Sequence, residues 1–214
     1  MPAATTGCLP WEYKDSPRWE DILEDAVAAL LESARRDPSL RERHAEDTRA
    51  AHKRMFRQLT PNSLGYYAGH YRGEDYLCLR DYRVGTPSDP MVGYPPDRVP
   101  DEMKRFSGRV LWALRVLESA REDPRLTKRQ RLLYLVMIAC RLHVEFLTIH
   151  PYANGNGHAG RYLLWILMGH FDVWVGGDFA VHPRPALPYE FLLSPYRRGK
   201  PFDLEAYVLK CCLA

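Results

Sequence analysis

One stretch of the sequence, residues 150–161, concentrates residue types that could carry out phosphoryl-type chemistry. It reads His-Pro-Tyr-Ala-Asn-Gly-Asn-Gly-His-Ala-Gly-Arg. A histidine is mostly neutral near neutral pH and can take a proton from an attacking hydroxyl. Pro151 restricts the chain directly after His150, which orients the imidazole. We therefore predict that His150 is a general base.

The glycines of this stretch predict an anion site beside that base. Gly155, Asn156 and Gly157 open a predicted helix, where backbone N–H groups converge and the positive end of the helix dipole favours a phosphate. Arg161 follows Gly157 by one helical turn, on the same side, where it can clamp a second phosphate. A base, an anion cradle and a cation this close together favour phosphoryl-type transfer.

Two predicted helices position these residues. Thr127 and Gln130 form a capping box that opens a helix reaching about Thr148. This helix is apolar nearly all round, which predicts the central buried element of the fold. A second apolar helix is expected from about Gly155 to Phe171, so that His150 ends one helix and the anion cradle begins the next.

The rest of the chain predicts a mainly α fold. Ser16 and Pro17 begin a helix, and Asp37-Pro38 breaks it. Further helices are expected at about 38–59, 97–121, 187–196 and 202–213. The segments 69–72 and 76–79 flank Gly73 and alternate in polarity, which predicts a β-hairpin. The fold class is therefore a helical bundle with one β-hairpin.

Composition excludes several classes of protein. The chain has 214 residues and a formal net charge of +3 with 27% charged residues, which argues against a nucleic-acid coat. The longest apolar runs are too short to span a bilayer, so no membrane partner is expected. The five cysteines are odd in number and lack C-x-x-C spacing. We therefore expect reduced thiols and a cytoplasmic protein.

The stretch 150–161 resembles the motif of the Fic domain family, H-P-F-x-[D/E]-G-N-G-R-x-x-R. The matching positions are His150, Pro151, Gly155, Asn156, Gly157 and Arg161, with Tyr152 in place of Phe. The resemblance extends from about residue 59 to the C-terminus. It implies a Fic-like domain at 59–214 behind an N-terminal helical extension at 1–58, with the hairpin as the flap of the family.

The resemblance implies an enzyme that transfers AMP, or a related phosphate-containing group, from ATP to a Ser, Thr or Tyr hydroxyl of a target protein. His150 would be the general base, Gly155–Gly157 the phosphate cradle, and Arg161 the partner of the terminal phosphate. Asn154 stands where the family has an acidic Mg²⁺ ligand and would bind the ion weakly. His158 stands where the family has its first arginine.

The same resemblance implies how a target protein would bind. The flap of the family holds a target segment by strand addition, here beside Tyr76, Leu77, Cys78 and Leu79. Whether the protein forms a homo-oligomer stays open.

Other interpretations stay open at this stage. The two departures at Asn154 and His158 favour a catalytically degenerate scaffold that binds a nucleotide or a protein without turnover. A third reading is phosphate or phosphocholine transfer by the same base and cradle. His143 and His150 lie two helical turns apart, but without an acidic or Cys partner His143 is better read as a helix-face residue than as a metal ligand. Tyr189 could stack on a nucleotide. Ser16 and Glu20 match the inhibitory motif of the family, [S/T]-x-x-x-E-[G/N], but Asp21 fails at its last position, so autoinhibition is not predicted.

Overall fold

The computed structural model describes residue 8 and residues 10–86 and 89–213, and within them the chain folds into a helical bundle. The α-helices are α1 (Trp19–Arg36), α2 (Pro38–Glu46), α3 (Arg49–Phe56), α4 (Val99–Glu122), α5 (Lys128–Ile149), α6 (Asn156–His170), α7 (Tyr189–Arg197) and α8 (Phe202–Leu213). Short 3₁₀ helices lie at Tyr13–Asp15, Asn62–Tyr67 and Pro96–Arg98.

Short polar side chains set the helix boundaries in the first part of the chain. The carboxylate of Asp37 accepts hydrogen bonds from the backbone N–H groups of Ser39 and Leu40, so it ends α1 and caps α2, as the Asp-Pro pair predicts. The single polar helix expected to about residue 59 is wrong. It is interrupted at Asp47, whose side chain accepts from the backbone N–H of Arg49 at 3.0 Å.

Helix α5 is the central element, and its predicted start is confirmed. The Thr127 side chain accepts from the backbone N–H of Gln130, and the Gln130 side chain accepts from the backbone N–H of Thr127. Helix α5 packs against α4, α6, α7 and α8. With a mean hydropathy of 1.8 over an 18-residue window it is long and apolar enough to cross a membrane, but the central helix of a packed bundle has the same composition.

The predicted β-hairpin at 69–79 is wrong, because that segment folds into turns and the residues that the structure describes form no strand. Gly69 and Gly73 have φ values of 93° and 83°, and the N–H of Gly73 donates to the carbonyl of Leu79. Leu79 is buried, and Leu77 is exposed. The alternating polarity reflects a tight turn that points single side chains inward, rather than the two faces of a sheet.

A loop with one antiparallel bridge lies further along, between Tyr82 and Tyr94. Thr86 bridges Asp89, and the carbonyl of Val84 lies so close to Gly93 that a Cβ there would be 2.5 Å from its oxygen. The two halves of this loop therefore run side by side.

The expectation of five reduced thiols is also wrong. Cys8 and Cys78 form a disulfide, with a sequence separation of 70 residues, while Cys140, Cys211 and Cys212 are free. No local pattern marks such a pair, because only the fold brings the two residues together. The cytoplasmic location stays a prediction. The disulfide removes one argument for it, because that argument assumed that all the cysteines are reduced. The domain division at residue 58 also stays a prediction, although α2 packs against α4 and α6 across it.

Candidate active site

A cavity of about 1230 Å³ opens at the junction of α5 and α6. The N-terminal segment before α1, residues 82–86 with Asp89, and the start of α7 complete its walls. Every site residue predicted from the sequence lines this cavity: His150, Asn154, Gly155, Asn156, Gly157, His158 and Arg161. The structure therefore brings the predicted constellation together around one space, and it does so without Tyr76–Leu79, which lie elsewhere.

His150 ends α5 in a left-handed backbone conformation, with φ of 55°. Its Nδ1 lies 3.2 Å from the carbonyl oxygen of Leu147. A carbonyl only accepts, so Nδ1 carries the proton and Nε2 of the neutral ring keeps its lone pair. Burial lowers the pKa of His150 to about 4, with nearby Arg72 and Arg197 adding to the effect. The imidazole is therefore neutral near pH 7 and can accept a proton at Nε2.

Arg72 holds the backbone on which His150 sits, and sequence reasoning missed it. Its buried guanidinium donates from Nε to the carbonyl of His150 (2.9 Å), from Nη1 to that of Tyr82 (3.0 Å), and from Nη2 to those of Tyr94 (3.1 Å) and Ile149 (3.2 Å). Carbonyl dipoles solvate the charge in place of water. An arginine in a turn-rich segment carries no sequence signal for this role.

The N-terminus of α6 presents free backbone donors to the cavity. Gly155 precedes the helix with φ of 77°, and a Cβ there would lie 2.4 Å from the Phe56 ring, so glycine is required by conformation and by space. No side chain caps the helix, and among the hydrogen bonds of the described residues none uses the N–H of Asn156, Gly157 or His158. Three unpaired donors at the positive end of a helix suit an anion.

Asn156 contributes to this cradle by shaping the loop. Its Oδ1 accepts from the backbone N–H of Tyr152 and its Nδ2 donates to the carbonyl of Tyr152, both at 2.8 Å. The side chain is buried and bonded to Tyr152, so its backbone N–H is the group it leaves available to an anion. The loop is supported from α3 as well, because the His52 ring stacks on Tyr152 at 3.7 Å and hydrogen-bonds to the carbonyl of Asn154.

We expect Asn156→Ala to destabilise the protein strongly. The change leaves the N–H and C=O of Tyr152 without partners in a buried loop, at a cost of about 2–4 kcal/mol of unfolding free energy. Urea unfolding followed by circular dichroism measures the effect. Asn62→Ala, at an exposed position, is the control and should change stability by less than about 0.5 kcal/mol. Equal stabilities of the two variants would contradict the structural role of Asn156.

Arg161 lies buried in the wall of the cavity. Its Nε and Nη2 donate to the carbonyl of Val181 at 3.0 and 2.8 Å, while Nη1 approaches Gly157, where an added Cβ would be 3.1 Å away. Burial lowers its pKa. Within the part of the chain that the structure describes, no carboxylate forms an ion pair with Arg161. A buried cation without an anionic partner is costly, and it is relieved when an anion binds.

His158 gives this site less positive charge than an arginine would. Its Nε2 lies 3.2 Å from Nδ1 of His182, and its ring packs against Tyr13 and Phe56. Burial lowers the pKa of His158 to about 2, and the charges of Arg161 and His182 act in the same direction. His158 is therefore a neutral member of the cavity wall.

The residues present do not fit a protein-held Mg²⁺ at Asn154. Its Nδ2 donates to the carbonyl of Trp11 at 3.0 Å, and its Oδ1 accepts from the N–H of Gly155 at 2.7 Å. The amide thus ties the N-terminal segment to the loop. Over residues 10–86 and 89–213, no group of three or more His, Cys, Asp or Glu side chains is placed to hold an ion. Trp11, which sequence reasoning missed, lies buried in the cavity wall.

Three further sequence expectations concern residues around the cavity. Tyr189 lines it, but its ring is buried and its hydroxyl bonds to His143, so it is not an open stacking platform. His143 is buried between Gly160 and Tyr189 rather than exposed on a helix face. Glu20 faces the cavity from α1 without forming an ion pair with Arg161 among the described residues.

The site thus combines a histidine at the end of a buried helix, the uncapped N-terminus of the next helix and a buried arginine. These features define a helical protein with a cavity suited to binding an anion. The chain belongs to the Fic/DOC family, whose family model matches residues 43–168, more than half of the sequence. No curated protein matches it. The family points to a transferase.

Proposed function

We propose that this protein transfers AMP, or a related phosphate-containing group, from a nucleotide to a Ser, Thr or Tyr hydroxyl of a target protein. One observation carries the proposal. Over residues 10–86 and 89–213, the guanidinium of Arg161 forms no ion pair and the N–H groups of Asn156, Gly157 and His158 have no hydrogen-bond partner, and all of them line one cavity with His150, whose Nε2 is unprotonated. A phosphate would neutralise the buried charge of Arg161 beside a base that can accept the proton of a target hydroxyl.

The residues would act in the following way. The phosphates of the nucleotide lie against the N-terminus of α6 and Arg161. The target hydroxyl attacks the α-phosphorus while its proton moves to Nε2 of His150. The new bond joins the target oxygen to phosphorus, the bond to the leaving phosphate oxygen breaks, and pyrophosphate leaves. Mg²⁺ stays a prediction, and with the Asn154 amide engaged its ligands would be nucleotide phosphates and water.

The target protein would bind at the loop beside the cavity rather than at residues 76–79. Arg83, Val84 and Gly85 lie at the cavity wall, and among the hydrogen bonds of the described residues none uses their backbone groups. Free backbone donors and acceptors allow an extended peptide to pair with this segment. At residues 76–79 the carbonyls of Tyr76 and Leu79 already accept hydrogen bonds within the turn, and Cys78 and Leu79 are buried, so this segment offers fewer free backbone groups to a target peptide.

Labelled nucleotides test the reaction directly. The protein is incubated with a cell lysate and ATP labelled either at the α-phosphate or at the γ-phosphate, and protein-bound label is followed. Label from the α-position alone supports AMP transfer, and label from the γ-position alone supports phosphate transfer. Cytidine diphosphate choline labelled in the choline tests the phosphocholine alternative. If no donor labels any protein, the result would contradict the transfer reaction and favour a second candidate function.

That second candidate is a degenerate scaffold that binds a nucleotide without turnover. The neutral His158 in place of a cation and the engaged amide of Asn154 favour it. Calorimetry with ATP and the labelling result together distinguish the candidates, because both bind ATP but the scaffold leaves no label on any protein.

We expect Arg161→Ala to weaken ATP binding by about 10- to 100-fold. The change removes a charge-assisted contact to phosphate in a buried site, which contributes about 1.5–3 kcal/mol. Isothermal titration calorimetry measures the affinity. Arg125→Ala is the charge-matched control, since Arg125 is exposed and pairs with Asp123 away from the cavity. An unchanged ATP affinity in Arg161→Ala would show that Arg161 does not contact the nucleotide.

A further inference from the structure

A buried ion pair joins the loop beside the cavity to helix α7. Nη1 of Arg197, at the end of α7, donates to Oδ2 of Asp89 at 2.8 Å, and both side chains are only 7% exposed. Nε of Arg197 also donates to the hydroxyl of Thr148 on α5 at 3.1 Å. Asp89 and Arg197 both line the cavity. A buried ion pair adds little net stability compared with apolar packing, which points to a geometric role for this one.

Asp89 holds the loop on both sides of itself. Its Oδ1 accepts from the backbone N–H of Met91 at 3.2 Å, and its carbonyl accepts from that of Val92 at 3.1 Å. Its own backbone N–H donates to the carbonyl of Thr86 at 2.9 Å. Thr86 directly follows residues 83–85, the docking segment proposed above for the target. The ion pair therefore fixes the end of the docking segment against α7.

The same loop is bonded to the end of α5, directly before the base. The backbone N–H of Gly93 donates to the carbonyl of Thr148 at 2.9 Å. That of Tyr94 donates to the carbonyl of Ile149 at 3.2 Å, and the next residue in the chain is His150. Thr148 thus bonds the loop through its carbonyl and the buried ion pair through its hydroxyl. The docking segment and the imidazole belong to one hydrogen-bonded frame.

We propose that Asp89, Arg197 and Thr148 are positioning residues for the target protein, which hold the docking segment in register with His150 so that the hydroxyl of a bound peptide reaches Nε2. The inference rests on the proposed function. Its physical reason is that a misplacement of about 1 Å can slow a reaction about 100-fold. ATP binding should not depend on these residues, because its phosphates would contact the N-terminus of α6 and Arg161.

The experiment measures three quantities in each variant. These are the initial rate at which label from the α-phosphate of ATP enters lysate protein, the ATP affinity by calorimetry, and hydrogen exchange at the backbone N–H groups of Gly93 and Tyr94. We expect Asp89→Ala to slow transfer about tenfold or more and to speed this exchange about tenfold, because the loop opens more readily. The ATP affinity should stay unchanged.

A second variant separates positioning from stability. Asp89→Ala leaves the guanidinium of Arg197 buried without an anion, which destabilises the fold. The double variant Asp89→Ala/Arg197→Met removes both charges, so its melting temperature should recover while transfer stays slow. Thr148→Val should also slow transfer, because it deletes the hydroxyl that accepts from Arg197, and Thr148→Ser, which keeps a hydroxyl, should restore most of the rate.

The chain offers a control ion pair outside the cavity. Nε of Arg109 on α4 lies 2.6 Å from Oε1 of Glu145 on α5, and neither residue lines the cavity. Glu145→Gln should lower the melting temperature but leave transfer, ATP affinity and exchange at Gly93 and Tyr94 unchanged.

The outcomes separate this inference from the proposed function. Equal transfer rates in Asp89→Ala and the unsubstituted protein overturn the positioning role, as does an equal loss in Glu145→Gln. Weaker ATP binding in the double variant overturns it as well, because the pair would then belong to the nucleotide site. If the unsubstituted protein transfers no label, the proposed function fails and this inference fails with it. Unchanged exchange in Asp89→Ala overturns the inference alone.

Discussion

Removal of the His150 imidazole should lower transfer by about 10²-fold or more while nucleotide binding changes little. General-base catalysis contributes about 10²- to 10⁴-fold, and the backbone donors of α6 and the guanidinium of Arg161 do not depend on the imidazole. The rate of label transfer under single-turnover conditions measures the loss, and ATP calorimetry measures binding.

The backbone of His150 decides which variant tests this best. Its φ of 55° lies in the left-handed region, which asparagine adopts more readily than alanine. His150→Asn therefore removes the base with little added strain, and His150→Ala checks it. His170→Ala is the control, since His170 ends α6 and faces Glu118 away from the cavity. Equal rates in His150→Asn and the unsubstituted protein would contradict the role of His150 as base.

Acidification below about pH 6.5 should unfold the protein well before its carboxylates are protonated. Burial lowers the pKa of His52 and His143 to about 3, of His150 to about 4 and of His158 to about 2. Between pH 6.5 and 4 the unfolded chain therefore binds protons at these histidines and the folded chain does not. Each histidine then lowers the unfolding free energy by about 1.4 kcal/mol per pH unit, and the four together by about 5 kcal/mol.

Since a domain is usually stable by about 5–15 kcal/mol, this slope predicts unfolding between about pH 6 and 4. Urea unfolding at pH 8, 7, 6 and 5 measures it. Carboxylates with a lowered pKa, such as Asp47 and Asp89, lose their stabilising effect in a lower range, below about pH 4, so the two contributions separate. His143→Gln should reduce the slope by about 1.4 kcal/mol per pH unit. Constant stability from pH 7 to 5 would contradict neutral burial of these histidines.

Local sequence determined most of the helix boundaries, because capping interactions join residues close in the chain. The capping box of Thr127 and Gln130 and the break at Asp37 and Pro38 are both present as predicted. The site loop is local for the same reason: it lies within residues 150–161, so its glycines, His150 and Arg161 reach one cavity. The motif also carried the family assignment, which the match over residues 43–168 supports.

Contacts between distant residues were decided only by the tertiary structure. The segment 69–79 alternates in polarity as a hairpin would, yet it folds into turns. Buried Arg72 bonds carbonyls of Tyr82 and Tyr94 in the following loop and of residues 149–150 at the end of α5. The partners in the Cys8–Cys78 disulfide, the Asn154–Trp11 bond and the His143–Tyr189 bond are 70, 143 and 46 residues apart. Composition and periodicity report which residues are buried, but the partner of a buried polar group depends on which helices the fold brings together.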